Sequence, residues 1–163
     1  MAGNLRDLQR LLDRAATEIP TKALRIIGVE GKKFIQKNFR DQAFTDTTTK
    51  NWKARKLLGR GEKDLTKYRT NRRGREGSLT RFGRENEGRA ILVGFNTGGD
   101  KLKNSFSYSI GNQRVVFRTY KGYAEFHNEG TDELPQRQFI GKSAYLDKQI
   151  GDKITRELNT ILR

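Results

Sequence analysis

The first forty residues contain apolar positions at helical spacing. A first apolar set alternates with charged side chains: Leu5, Leu8, Leu12, Ala15, Ala16 and Ile19. A second set follows with the same spacing: Leu24, Ile27, Gly31, Phe34, Ile35 and Asn38. Both sets predict amphipathic helices. Pro20 lies between them, and the residue before a proline avoids the helical conformation, so we predict a break or kink there.

Two glycines lie inside the second predicted helix, at Gly28 and Gly31. In a helix interior each costs about 1 kcal/mol relative to alanine. Two interpretations remain open at this point. The glycines are tolerated weak points, or they allow a second element to approach the helix closely.

The second half of the chain has strand-like patterns. They cover four short segments: residues 90–95, 104–110, 113–120 and 123–128. In the second segment, alternation with period two places Phe106, Tyr108 and Ile110 on one side. Gly111 and Asn112 fit a two-residue hairpin turn. The segments together predict an antiparallel meander.

An apolar stripe at helical spacing predicts a last helix that begins near Gly141. Its members are Leu146, Ile150, Ile154, Leu158 and Ile161 or Leu162. The element order predicts a single α+β domain over residues 1–163, with N-terminal helices and a C-terminal helix packed on an antiparallel sheet. Trp52, the only tryptophan, follows a polar turn at residues 45–49. We expect it to anchor the core against the second helix, because buried indoles are common anchors.

Composition sets residues 53–89 apart from the rest of the chain. They hold 13 Lys/Arg and 5 Asp/Glu, and so supply +8 of the net charge of +15. Their pattern fits neither a helix nor a strand, apart from one short helix expected near residues 64–68. We interpret them as a basic Gly/Arg-rich arm inserted in the domain. Its candidate contact residues are Arg55, Arg60, Arg69, Arg72, Arg73, Arg75, Arg81 and Arg84.

The arm's charge favours an anionic partner, and three interpretations stay open. In the first, the arm contacts DNA phosphates while Tyr68 and Phe82 stack on bases. In the second, the arm becomes ordered against an acidic neighbouring subunit, and in the third it has no specific partner. The mean hydropathy of −0.87 also suits a surface that becomes buried only in a complex. No apolar run reaches the roughly 20 residues needed to cross a bilayer, so no membrane partner is expected.

The single histidine is the best candidate for catalysis. In the predicted strand, Glu125, His127 and Glu129 share one face, which suits a divalent ion. The chain has no cysteine, and one histidine without cysteine makes a poor transition-metal site. We therefore expect a structural or interfacial histidine, whose charged form the neighbouring carboxylates favour. We expect no catalytic residue, no metal and no cofactor.

The segment that follows joins the last predicted strand to the last helix. Pro135 fixes its own φ and pushes Leu134 into an extended conformation. Phe139 can then fill the gap between the sheet and the last helix. Arg137 can brace backbone carbonyls or a neighbour's carboxylate. Architecture alone therefore explains this turn.

Short motifs in the chain also resemble those of a known family. Residues 123–131 are similar to a Tyr-Ala-x-x-His/Glu-x-Gly strand, and residues 99–105 to a Gly-x-Leu-x-x-Ser segment with one extra residue. Residues 135–143 are similar to a Pro-x-Arg-Pro-Phe-Leu-x-x-Ser turn, with Gln138 in place of the second proline. Phe39, Phe44 and Trp52 resemble an aromatic residue followed by a turn and a tryptophan. These motifs resemble the tail-completion, virion-morphogenesis and head–tail joining proteins of tailed bacteriophages.

The resemblance implies a non-enzymatic subunit of the virion neck or tail top, present in the host cytoplasm during assembly. Such a subunit forms a homo-oligomeric ring, for which a hexamer and a dodecamer are the candidate sizes. It links the portal–connector to the tail tube or to other neck proteins, and it contacts genomic DNA non-specifically in the channel. Its structural or interface turn would comprise Tyr123, His127, Gly130, Pro135, Arg137 and Phe139. The resemblance does not separate a tail terminator from a head–tail joiner. A basic nucleic-acid-binding module is the alternative, and a metal-dependent nuclease is the third reading.

Overall fold

The computed structural model describes residues 5–55, 57–61, 63–93 and 98–162. Within them the chain has the predicted α+β fold, with a long N-terminal helix, a C-terminal helix and two small antiparallel sheets. A single 3₁₀ turn at Leu102–Asn104 precedes the second sheet. The elements are α1 (Leu5–Asp41), β1 (Ala43–Thr45), β2 (Thr49–Asn51), α2 (Arg81–Asn86), β3 (Phe106–Gly111), β4 (Arg114–Thr119), α3 (Ala124–Glu129) and α4 (Ala144–Ile161).

The helix α1 is continuous through Pro20, so the predicted break is wrong. A proline inside a helix removes one backbone hydrogen bond and costs about 3 kcal/mol. The C-terminal half of α1 buries Phe34, Ile35 and Phe39, each less than 5% exposed. We infer that this packing offsets the cost of the proline. The local sequence pattern around Pro20 carries no information about this packing.

The helices α1 and α4 pack antiparallel. Three side-chain pairs define their register: Phe34 with Tyr145, Glu30 with Lys153, and Lys22 with Glu157. Continuing this register places Ile161, the last residue of α4, opposite Glu18. The part of α1 that precedes Glu18 therefore extends past the end of α4.

The sheet β3–β4 is a regular hairpin whose turn lies one residue later than predicted. Gly111 pairs with Arg114, so Asn112 and Gln113 form the turn. Their φ angles are 48° and 57°. Two-residue hairpin turns need such positive values because only this twist matches that of the strands. The polar turn at residues 45–49 likewise lies in a hairpin, since the strands β1 and β2, which the sequence analysis missed, flank it.

The predicted strands at residues 90–95 and 123–128 are wrong. Residues 90–93 form an irregular turn, and residues 94–95 lie outside the described part of the chain. Residues 124–129 form α3. Helical spacing places Ala124 and Asn128 on one face, which lets Ala124 enter the core and Asn128 bond the following loop. A pattern of six residues cannot show that tertiary contacts of Ala124 and Asn128 require a helix here.

The arm also differs in detail from its prediction. No helix forms at residues 64–68, because Asp64 Oδ1 instead accepts hydrogen bonds from the backbone N–H and hydroxyl of Thr66. This is an Asx turn, which competes with helical hydrogen bonding. The helix of the arm is α2, which Thr80 caps at its N-terminus. At the other end of the domain, α4 begins at Ala144 rather than near Gly141, because Ser143 Oγ accepts from the N–H of Leu146.

The structure decides between the two interpretations of the helix glycines. A Cβ atom on Gly28 would lie 2.3 Å from Cε2 of Tyr108, and one on Gly31 would lie 2.3 Å from Cζ of Phe117. Both rings belong to the sheet β3–β4 and lie beside each other. The glycines therefore allow this sheet to approach α1 closely.

We expect Gly31→Ala to lower the free energy of unfolding by about 1–3 kcal/mol, since the new methyl group displaces the ring of Phe117. The loss is expected although alanine is the better helix former by about 1 kcal/mol. The matched control is Gly151→Ala in α4, where nothing lies within 4 Å of the added Cβ. It should stabilise the protein by about 0.5–1 kcal/mol. Urea unfolding of both variants checks the pair, and equal effects would contradict the close approach.

Candidate functional site

The residues that carry the resemblance meet around one loop, residues 130–143, in which Arg137, Phe139 and Ser143 are buried. Phe139, only 1% exposed, lies at its centre. Its ring centroid is 5.1 Å from that of Phe39 in α1 and 5.3 Å from that of Phe106 in β3. Trp52 is also buried and meets Phe39 edge-on at 5.4 Å. The tryptophan thus lies in the core, against the segment predicted as the second helix.

Polar side chains hold the backbone of this loop in place. Nε1 of Trp52 donates to the carbonyl of Gln138 at 2.7 Å, and Nδ2 of Asn38 donates to the carbonyl of Phe139 at 3.2 Å. Oδ1 of Asn128 accepts from the backbone N–H groups of Phe139 and Ile140. The sequence analysis named Asn38 only as part of an apolar face, and it gave Asn128 no role. A polar residue within an apolar stripe was the available signal.

Arg137 connects the loop to Lys53 and Ala54, the first two residues of the arm, which form the arm root. It is only 8% exposed. Its Nε donates to the carbonyl of Lys53 at 3.1 Å, and its Nη2 donates to that of Ala54 at 3.4 Å. Burial lowers the pKa of its guanidinium. Arg137 therefore braces backbone carbonyls, which is one of the two roles considered for it.

A pocket of about 290 Å³ opens beside Arg137. Its polar side chains are Arg55, Arg89, Arg137, His127 and Tyr123, and its apolar wall consists of residues 91–93 and Leu102. No aspartate or glutamate of the described chain lines it. The pocket therefore gathers three cationic side chains from three parts of the sequence.

His127 differs from its prediction in two respects. Helical geometry turns it away from Glu125 and Glu129, because residues two apart do not share a helix face. Desolvation by burial lowers its pKa, and nearby Arg137 lowers it further. The expected preference for the charged form is therefore wrong. Because the unfolded chain protonates near pH 6.5 while the folded one resists protonation, this contribution to stability is complete above that pH and decreases as the pH falls below it.

The possibility of a metal centre at this site can be checked directly. Within the described ranges, no three His, Asp or Glu side chains are grouped closely enough to hold a metal ion. Nδ1 of His127 is buried and has no hydrogen-bond partner among the described residues. The three arginines of the pocket are unsuitable metal ligands because they carry a permanent positive charge.

The structure separates the arm arginines into two groups. Arg55 folds back into the pocket, while Arg81 pairs with Glu85 at 2.9 Å and Arg84 bonds the carbonyl of Leu79. The other five are exposed, as Arg81 and Arg84 also are: Arg60, Arg69, Arg72, Arg73 and Arg75. Backbone bridges between Leu58 and Asp64 and between Lys67 and Leu79 fold the arm on itself.

Large apolar side chains are exposed in several parts of the described chain, among them the start of α1 and the surroundings of the loop. On the part of α1 that extends past α4, Leu8 is 57% and Leu12 is 52% exposed. Around the loop, Tyr123, Phe126 and Leu134 are 46%, 54% and 39% exposed. Among the described helices, none is long and apolar enough to cross a membrane. Exposed apolar side chains mark interaction sites in proteins where they form a contiguous patch.

The chain was compared with models of protein families, with curated proteins and with solved structures. None of the three comparisons found a match. The function must therefore be inferred from the residues of this chain and from their geometry.

Proposed function

We propose that this protein is a structural subunit of a tailed-bacteriophage virion. It assembles into a ring at the neck and completes the tail or joins it to the head. The observation that carries the proposal is the exposed apolar stripe of α1, Leu8 and Leu12, on a helix segment that has no part of α4 opposite it. A helix face of this kind is suited to packing against another protein surface.

The arrangement of the resemblance motifs supports a structural role. Four side chains form hydrogen bonds with backbone groups of the loop or of the arm root: Trp52, Asn38, Asn128 and Arg137. Phe139 fills the core beneath them. These side chains therefore serve to fix the loop between the core and the arm, and they need no chemical reaction to explain them.

The charge of the chain restricts the kind of contact that can build a ring. A net charge of +15 on each subunit opposes self-association through long-range repulsion. Stable homo-oligomer interfaces bury apolar cores from which charged residues are depleted. The stripe formed by Leu8 and Leu12 supplies such a surface, and salt would strengthen the contact by screening the repulsion.

Light scattering of the purified full chain at low and high salt, with and without duplex DNA, tests the proposal. We expect a closed oligomer that persists in high salt and does not need DNA. A wild-type protein that remains monomeric in high salt up to its solubility limit would contradict self-assembly. A mass that increases only with DNA, and returns to the monomer in salt, would favour the nucleic-acid-binding module, because phosphate contacts weaken steeply with salt.

We expect the double variant Leu8→Glu, Leu12→Glu to weaken the oligomer by at least about 100-fold, since two carboxylates would enter an apolar contact. The matched control is Gln9→Glu, Thr17→Glu, which adds the same charge at exposed positions on another face of α1. The control should assemble like the wild type. Equal loss of assembly in both variants would show that added negative charge, rather than the apolar stripe, is responsible.

The exposed arginines of the arm favour the nucleic-acid-binding module as a second candidate function. Three of them, Arg72, Arg73 and Arg75, are close neighbours in the chain, and exposed cationic side chains of this kind suit contacts with a phosphate backbone. This candidate and the ring are separated by the DNA and salt conditions of the same light-scattering experiment.

A further inference from the structure

The start of α1, residues 5–17, lies beyond the end of α4 and exposes Leu8 and Leu12. Where α4 covers the helix, by contrast, Phe34 is only 4% exposed. We propose that this free segment packs antiparallel on the same segment of a second copy of the chain, with the two apolar stripes facing each other. The inference rests on the proposed function, because it names the partner of the stripe that carries that function.

The exposed stripe continues the face of α1 on which α4 packs. Glu30 lies on that face, since its carboxylate pairs with Nζ of Lys153 in α4 at 2.7 Å. Leu12 precedes Glu30 by eighteen residues, which is about five full turns at roughly 3.6 residues per turn. The two side chains therefore lie on the same side of α1, which is continuous between them. A second helix can thus cover the stripe in the line that α4 follows along the rest of α1.

Charge selects a second copy as the partner of this face. The whole chain carries +15, but residues 5–17 hold three Arg and two Asp, and one of these arginines, Arg14, pairs with Glu18 at 2.9 Å. The free segment is therefore nearly neutral. Two copies that repel each other elsewhere can approach through it. The same neutrality gives nucleic acid or an anionic membrane little attraction to the segment, since both are bound through cationic surfaces.

The position of α4 selects the antiparallel direction. In each copy α4 occupies the stripe face of α1 from Glu18 onward and leaves residues 5–17 free. In an antiparallel pair, each free segment lies beside the other and ends where the partner's α4 ends. In a parallel pair, both α4 helices would enter the same layer between the two α1 helices, and that layer has room for only one helix because packed helices lie about 8–10 Å apart.

The antiparallel contact also has a consequence for the ring. The pair would be about 20 Å long and related by a two-fold axis, with Leu8 and Leu12 of both copies at its centre. Such an isologous contact closes after two copies. A ring built with it therefore contains an even number of copies and joins its pairs through a second, different surface.

Single cysteines report the contact without background, because the chain has none of its own. The midpoint of the antiparallel pair lies near Leu11. Leu12→Cys and Arg10→Cys are equally close to it, but they lie about 200° apart around the helix, on nearly opposite faces. Under mild oxidation of the full chain, we expect Leu12→Cys to form a disulfide-linked dimer at least about tenfold faster than Arg10→Cys, because contact raises the effective concentration of the thiols. Equal rates would overturn the contact between the stripes.

A second pair of variants, Leu8→Cys and Ala15→Cys, tests the direction of the helices. In the antiparallel pair, the two positions lie beside each other across the contact. Two Leu8→Cys sites would be about 9 Å apart along the axis, and two Ala15→Cys sites about 12 Å, which is too far for a disulfide. We therefore expect cross-linked dimers only when the two variants are mixed. Cross-linking of each variant alone, but not between them, would show a parallel pair and overturn the proposal.

The mass of the unmodified chain, measured by light scattering, separates this inference from the ring itself. A dimer that does not grow further, and whose cysteine variants cross-link as expected, would support the antiparallel pair and contradict the ring. A closed oligomer of more than two copies in which neither cysteine test succeeds would support the ring and overturn the pair. A closed ring with an odd number of copies would also overturn the pair, because an isologous contact leaves no copy over.

Discussion

Replacing Phe139 with alanine is expected to lower the free energy of unfolding by about 3–5 kcal/mol, the largest effect of any substitution considered for this protein. The ring is 1% exposed and contacts both Phe39 and Phe106. Its removal takes apolar surface out of the core and leaves a cavity between α1 and β3. Most small domains have a total stability of about 5–15 kcal/mol, so a loss of this size is close to global unfolding.

Phe126→Ala is the matched control for this prediction, since it removes the same side chain from a site that is 54% exposed. Its cost should not exceed about 1 kcal/mol. Urea unfolding followed by the fluorescence of Trp52 measures both variants, because that indole lies edge-on to Phe39 beside Phe139. Equal midpoints for the two variants would mean that Phe139 does not fill the core.

Gly130→Ala is expected to cost about 2–4 kcal/mol, although it adds only one methyl group. Gly130 has φ 82° and ψ 171°, a region that only glycine adopts readily. An added Cβ would also lie 2.9 Å from the backbone nitrogen of Gln136 and 3.1 Å from the carbonyl oxygen of Leu134. Because these are backbone atoms, the loop has to shift as a whole.

The control for Gly130→Ala is Gly122→Ala, at the other end of α3, where nothing lies within 4 Å of the new Cβ. It should change the free energy of unfolding by no more than about 0.5 kcal/mol. Gly130→Ala should also shift the NMR signals of the His127 ring protons. The carbonyl of His127 accepts a hydrogen bond from the N–H of Arg137 at 2.7 Å across the turn, so a shift of the loop changes the surroundings of His127. A variant with wild-type stability and unchanged signals would contradict the required conformation.

The uninterrupted periodic segments were the predictable part of the fold. The stripes of α1 and α4 and the alternation of β3 each span many residues, so the α+β class followed from them. The helix does not break at Pro20, and we infer that packing of the later turns of α1 offsets the cost of the proline. The predicted strand at residues 123–128 failed because burial of Ala124 and the bonding of Asn128 require a helix there.

The sequence predicted individual residues of the candidate site but not how they come together. The sequence by itself determined the net charge of +15, the basic composition of residues 53–89, and the single histidine and tryptophan. The position of Trp52 in the core also followed from its chemistry and its place in the sequence, whereas for Arg137 the sequence left open whether it binds backbone carbonyls or a neighbour's carboxylate. Composition and local pattern contain such properties because each depends on one residue or on a few neighbours in the chain.

Only the tertiary structure decided which distant residues meet. Arg55, Arg89 and Arg137 reach one pocket because the folded arm and the loop bring separate segments together. The same packing reversed the expected pKa shift of His127, since burial and a cation replaced the carboxylates that strand geometry had placed beside it. It also gave Gly28 and Gly31 their role, because the space beside a glycine depends on the sheet that packs there. Desolvation, charge proximity and steric space are properties of the folded arrangement, and no local pattern encodes them.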